Sequence, residues 1–434
     1  MIARVSSAFP ALRHPVFRRY LLGGTLLTIG GFMLQTAQGW LVLVLTNSPA
    51  LLGLAGAAAT LPTLFLAPVA GVLADRVDRR RLLILTNTAG AIIGLTLAIL
   101  TTTGIVEYWH VVALALLGGL VFTVQLPAAQ AVVSSIVPRE AIGNAVAPNS
   151  AQYNFLRIVA PAVAGLFIAA NALELGFWVN AFALAVAAYI TSTLVIPSTR
   201  DVDRAQAAIW HDLRDGIRYV LANRLLTVVV LLPAVPALFV LNYLTFIPLY
   251  ARDILGTGAA GIGFLTGAIG IGALAGALTL ATARPAGGSG RLIVGAMAIV
   301  GCALTTFAVS RSLPISMLAL GLIGTFQVMF YSTTNTLIQV LVPARLRGRV
   351  LSLYTFTSIG LIPVANLAGG ALAETIGVET VLAAGGVLTV SIAIATAVFQ
   401  RQLLRLRASH VSMSGDRGGE PGGEPGRADP SDTG

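Results

Sequence analysis

Twelve runs of mostly apolar residues, each close to the length of chain that crosses a bilayer, decide most of what this sequence can fold into. They fall near 17–45, 50–73, 82–103, 110–135, 141–170, 175–196, 224–250, 257–281, 291–310, 313–341, 348–372 and 377–400. About 20 residues wound as a helix span roughly 30 Å of hydrocarbon. Every backbone N–H and C=O there must be satisfied within the chain, so each run is expected to be a helix. The expected fold class is an all-α membrane protein with twelve transmembrane helices, numbered here as spans 1 to 12. Only 10% of the residues are charged, against about 25% in a soluble domain.

Charge placement orients the spans. All 27 basic residues are Arg, and the net charge is +10, which in a soluble chain would suggest nucleic acid as a partner. Here nearly all of them gather in alternate loops, the arrangement that fixes topology and meets anionic lipid. Both termini are therefore expected on the cytoplasmic side, and no nucleic acid is expected. The other side holds only Arg252 and Arg311 against Glu107, Glu174, Asp253, Glu374 and Glu379. Cys302 stands alone, which excludes an internal disulfide; it is expected to be a small buried hydrophobe.

The chain divides into a cytoplasmic N-terminal segment (1–16), a six-helix bundle (17–196), a cytoplasmic linker (197–223), a second six-helix bundle (224–400) and a polar tail (401–434) expected to be disordered. Within the linker, Trp210, Leu213, Ile217 and Val220 alternate with Arg214, Asp215 and Arg218, the pattern of an amphipathic helix on the inner membrane face. The bundles are internal repeats. Pro138, Gly143 and Gly165 recur as Pro343, Gly348 and Gly370 at an offset of 205, and Gly53-Leu54 echoes more weakly as Gly263-Phe264. Two such halves in parallel, with a substrate between them near the midplane, describe a class of secondary transporter.

A charged turn, Gly71-Val72-Leu73-Ala74-Asp75-Arg76-Val77-Asp78-Arg79-Arg80-Arg81, separates spans 2 and 3. It cannot stay in hydrocarbon. As a conformational switch, Asp75 would meet the positive N-terminal end of span 11 near Gly348, and Arg76, Arg79 and Arg80 would pair with Asp212, Asp215 or Glu140. The alternative is that the turn only sets topology.

Arg157 is the ionisable residue set deepest in a span, a functional hypothesis by default. Asn149, Tyr153 and Arg157 fall four apart on one face of span 5. A cavity role stands beside a structural one, an ion pair with Asp75 or a contact with a carbonyl end of span 11. Span 10 carries Gln327, Tyr331, Asn335 and Gln339 at the same spacing; span 1 adds Gln35, Gln38 and Trp40, span 4 Gln125, and span 7 Asn242 with Tyr243. Together they are expected to line a neutral, hydrogen-bonding substrate cavity, with helix-to-helix hydrogen bonding the alternative for each. No phosphate-cradling loop, His-rich metal cluster or Ser/His/Asp grouping is found, so neither an enzyme nor a metal or bound cofactor is expected. A proton gradient is the expected energy source, with Asp75, Glu107 or the substrate carrying the proton.

The charged turn resembles the loop between helices 2 and 3 of the major facilitator superfamily, with Asp78 where that pattern has its second Gly. Ala160-Pro161-Ala162-Val163-Ala164-Gly165 is similar to the fifth-helix signature of the superfamily's exporters, with two of its glycines replaced by Ala. Leu12-Arg13-His14-Pro15-Val16-Phe17-Arg18, Gly39-Trp40, Leu45-Thr46-Asn47-Ser48 and Pro62 look like the drug:proton antiporter branch that includes macrolide-efflux pumps and the enterobactin exporter. That resemblance implies a monomeric exporter in the bacterial inner membrane. It would move drugs such as macrolides, or a siderophore-like metabolite, outward by alternating access, with Pro161 and Gly165 shaping span 5. A metabolite or sugar importer and a non-transporting sensor or scaffold are the alternatives.

Overall fold

The computed structural model describes residues 14–136, 142–195, 209–282 and 289–405. Among these, helices are the only regular structure, and twelve are long and apolar enough to cross a membrane. The first six are Pro15–Thr46, Pro49–Arg76, Arg79–Thr102, Tyr108–Ile136, Ile142–Ala169 and Glu174–Thr193. The linker helix Ile209–Ala222 follows. Span 7 (Arg224–Ile254) is broken at Pro233 into short helices that end in a π-turn, Tyr250–Ile254. Spans 8, 9 and 10 are Gly258–Thr282, Ser289–Val309 and Leu313–Leu341. Span 11 runs Leu346–Ile376 through a second π-turn at Phe356–Gly360, and span 12 is Val378–Phe399. With an even number of crossings the two ends share one face; the opposite face is called distal below.

The side chains meet lipid as the sequence requires. Phe65, Phe182, Tyr189 and Leu318 are each about two-thirds exposed or more, and hydrocarbon rather than water is the solvent that tolerates this. Hydroxyls inside spans hide their polarity in their own helix. Thr36, Thr86, Thr334 and Thr389 each donate to the carbonyl four residues back at 2.7–2.9 Å. Cys302 corrects an expectation: it is exposed on span 9, while Ala303, Leu304 and Phe307 take the buried face.

Glycine sets how closely the spans cross, because between helices in lipid it is close packing, not water exclusion, that drives association. A Cβ on Gly272 of span 8 would lie 1.9 Å from the Gly321 carbonyl oxygen of span 10, and one on Gly324 would lie 2.2 Å from that of Ile269. Gly272→Leu is expected to lower the melting temperature of the detergent-solubilised protein by 10 °C or more. Gly295→Leu, where a Cβ would meet nothing within 4 Å, should leave it within a degree or two. Equal melting would show that this crossing is not tight.

The halves meet where span 2 crosses span 11 and span 5 crosses span 8. A Cβ on Gly53 would lie 2.4 Å from the Asn366 carbonyl oxygen and 2.8 Å from Gly370 Cα; one on Gly165 would lie 2.8 Å from the Ala259 carbonyl oxygen, and one on Gly263 2.7 Å from Ala162 Cα. These are the glycines that the sequence repeat equates. Each half gives one Gly to each crossing, so the repeat encodes a pseudo-twofold seal. Span 2 begins at the distal face, and Gly53 sits one turn into it. Both crossings therefore close the distal end.

The linker helix is pinned to the start of span 11. Asp215 pairs with Arg349 at 2.9 Å, and a Cβ on Gly216 would lie 3.1 Å from Arg349 Cβ. Val220 is buried, while Ile217 and Leu221 stay exposed, leaving an apolar edge free for the membrane surface.

Candidate functional site

Beneath the distal seal lies a cavity of about 270 Å³. Spans 1, 2 and 5 of one half and spans 7, 8 and 11 of the other line it, so it sits between the repeats. Arg157 is its charged residue among the lining side chains. It stands twelve residues before the end of span 5, about 18 Å below the distal face at 1.5 Å per residue, which is near the bilayer midplane. The register of span 5 explains the placement. Tyr153, Arg157, Pro161 and Gly165 follow one another at helical spacing: Tyr153 tilts against Phe32 with ring centroids 5.6 Å apart, Arg157 and Pro161 enter the cavity, and Gly165 makes the crossing with span 8.

Four of the candidate site residues are brought together: Gln35 and Gln38 on span 1, with Arg157 and Pro161. Gln38 also donates to the Val111 carbonyl of span 4 at 3.2 Å. Thr245 and Asn366, missed in the sequence, join them and bond to each other across spans 7 and 11 at 3.1 Å. Thr245 falls three residues after the candidate Asn242, a helical spacing that could have drawn it in, whereas Asn366 stands among apolar neighbours on span 11.

The remaining candidates lie elsewhere and correct the expected lining. Gln125 is buried and donates to Asn87 on span 3 at 2.6 Å, a bond within one half. Asn242 and Tyr243 are buried beside the cavity wall, because the breaks in span 7 turn Leu241, Leu244, Thr245 and Pro248 inward instead. The Tyr243 hydroxyl is without a hydrogen-bond partner. Gln327 lies on the buried side of span 10 against Pro236, Met297 and Phe330. The Tyr331 carbonyl accepts from Tyr354 at 3.0 Å, and Asn335 accepts from Gln339 on its own helix at 2.5 Å. Span 10 packs behind span 8, away from the lining. Trp40 packs into the hydrophobic core, and Asn149 is exposed.

In the charged turn, Asp78 accepts from the Arg81 N–H at 2.8 Å and caps span 3. Arg80 donates to the Ser192 carbonyl at the end of span 6, where unpaired helix carbonyls attract a cation. The pairing expected between Arg80 and Asp215 is therefore not made in this conformation, since Asp215 holds Arg349. Arg79 is half-buried. The side chains of Asp75, Arg76, Glu140 and Asp212 lie outside the described residues, and of Gly71 only its place in span 2 is described.

Among the described residues, polar contacts between the halves cluster at the distal rim. Glu374, at the end of span 11, accepts from Ser48 Oγ at 2.7 Å and from the Ala50 N–H at 3.0 Å, so a carboxylate of one half caps a helix N-terminus of the other. Arg252, paired with Asp253 at 2.5 Å, reaches the Leu43 carbonyl at 3.4 Å and the Asn47 side chain. Asn47 is left-handed at φ 49° and ends span 1.

Two pseudo-equivalent six-helix bundles enclosing a midplane cavity define a membrane transporter, not an enzyme. Residues 6–416 match the transmembrane secretion effector family, and the chain belongs to that family of the major facilitator superfamily. It is 24% identical over 392 residues to the staphyloferrin A transporter of Staphylococcus aureus, covering 90% of this chain and 98% of that one. It is 25% identical to the multidrug efflux pump Tap of Mycolicibacterium fortuitum, covering 78% and 85%. The nucleoside transporter NupG superposes with a TM-score of 0.71 at 14% identity over 88% of this chain and 98% of that one, a likeness of fold alone.

Proposed function

We propose that this transporter is a secondary exporter of amphiphilic small molecules, working by alternating access in the bacterial inner membrane. The observation that carries the reading is the cavity between the repeats, closed on one side by glycine crossings that a small relative rotation of the halves would release. The multidrug efflux pump among its relatives supports the outward direction. The face bearing the termini is taken as cytoplasmic, since the distal arginines are each matched by an acid: Arg252 by Asp253, and Arg311 by Glu379 at 3.0 Å. A single chain forms the whole cavity, so the working unit is taken as the monomer.

Protons are proposed to drive the cycle. No carboxylate is among the described lining residues, so coupling falls to carboxylates at the rims, with Asp75 on the cytoplasmic side and Glu374 on the distal side. Expression in a pump-deficient strain is expected to lower the energised accumulation of at least one amphiphilic compound severalfold, and collapse of the pH gradient should abolish the effect. Accumulation equal to vector controls across dyes, macrolides and siderophore-like acids would defeat the exporter reading. Asp75→Ala is expected to cut efflux more than tenfold at normal membrane abundance; full activity would limit the charged turn to topology.

A further inference from the structure

We propose that the cavity takes an amphiphile bearing a carboxylate, held by the Arg157 guanidinium with help from Gln35. The inference rests on the transporter reading of the same cavity and narrows its cargo to acids. Among the described residues Arg157 makes no side-chain hydrogen bond or ion pair. Along span 2, position 75 comes fifteen residues, roughly 22 Å of helix, after the cavity residue Thr60.

The other polar side chains of the lining are largely occupied. Thr36, Thr60 and Thr266 donate to Phe32, Gly56 and Ile262 of their own helices. Thr245 is engaged with Asn366, and Gln38 with Val111. Arg157 and the amides of Gln35 and Asn366 keep free donors beside the cavity. A guanidinium offers a planar fork that matches a carboxylate in two parallel bonds. An uncompensated charge near the midplane is costly, so an anionic cargo relieves the site and a cationic one is repelled. The remaining wall, including Phe32, Leu52, Ile262, Ile269 and Ile362, is apolar. A volume of about 270 Å³ lies just below the roughly 300–1,000 Å³ of drug-sized sites. It suits one ring system with one acidic group.

The test uses the full-length protein in nanodiscs in a low-salt Tris chloride buffer free of carboxylates, with 2-naphthoate, 2-naphthamide and 2-naphthylmethylammonium as probes that share one apolar body. Naphthoate is expected to bind at least tenfold more tightly than the amide, with no detectable binding of the cation. Arg157→Gln should bring the acid and amide within threefold, while Arg157→Lys keeps part of the preference and both variants melt like the native protein. Equal affinities, failure of naphthoate to bind, or a preference that survives in Arg157→Gln would overturn the proposal. Binding in nanodiscs needs neither turnover nor a direction. Acid binding without efflux from cells would therefore refute the exporter reading alone, and efflux without an Arg157-dependent acid preference would refute this one alone.

Discussion

Replacing Arg252 and Glu374 together by Ala is expected to raise the distal accessibility of the cavity about tenfold in the resting transporter. Both side chains belong to one half and bind the span 1–2 turn of the other. Glu374 is exposed and Arg252 half-buried, so each contact is worth only about 0.2–1 kcal/mol once solvent screening is allowed for. Carrier states separated by a few kcal/mol are nonetheless shifted strongly by such amounts. The readout is Leu52→Cys, in the cavity wall, placed in a Cys302→Ser background and modified by a membrane-impermeant thiol reagent from the distal side. Glu374→Gln alone should give a smaller rise, since the amide oxygen still accepts while the charge is lost. Unchanged labelling in the double variant would show that these contacts do not hold the seal.

Gly165→Leu is expected to have the larger effect, a loss of transport of twentyfold or more at normal membrane abundance. The crossing leaves no room for even one added carbon, with 2.8 Å to the Ala259 carbonyl oxygen. Backbone, not a flexible side chain, stands in the way. The clash exists only while the distal end is shut, so the variant should fold and remain distal-open, with Leu52→Cys labelled rapidly. Gly118→Leu, where a Cβ would meet nothing within 4 Å, serves as the control and should transport normally. Gly53→Leu should reproduce the block through the pseudo-equivalent crossing. Normal transport in both Gly165→Leu and Gly53→Leu would mean the halves do not close on these glycines.

The spans, the linker helix and the repeat were legible because hydrophobic run length and helical period are local properties of the sequence. The repeat even named the crossing glycines, Gly53, Gly165, Gly263 and Gly370, without showing that they face one another. Which polar residues enter the cavity was much less legible. Arg157 and Gln35 do, but Gln125 turns to Asn87, and Asn242 yields its place to Thr245. Side-chain direction depends on crossing geometry and on the breaks in span 7, neither of which a polar stripe reports. The distal latch escaped for another reason. Glu374 meets Ser48 and Arg252 meets Asn47 across the boundary between the halves, so in the sequence these residues were only entries in a charge tally or a family likeness.

The central claim is that the distal end opens and closes while the cavity stays between the halves. Spin labels at Asn171→Cys and Val309→Cys, distal positions on opposite halves, in a Cys302→Ser background and in nanodiscs, test it most directly by double electron–electron resonance. One dominant short distance is expected at rest, with a second, longer one that becomes dominant in Gly165→Leu and grows in the Arg252→Ala, Glu374→Ala double variant. A single distance unchanged in all three proteins would contradict it.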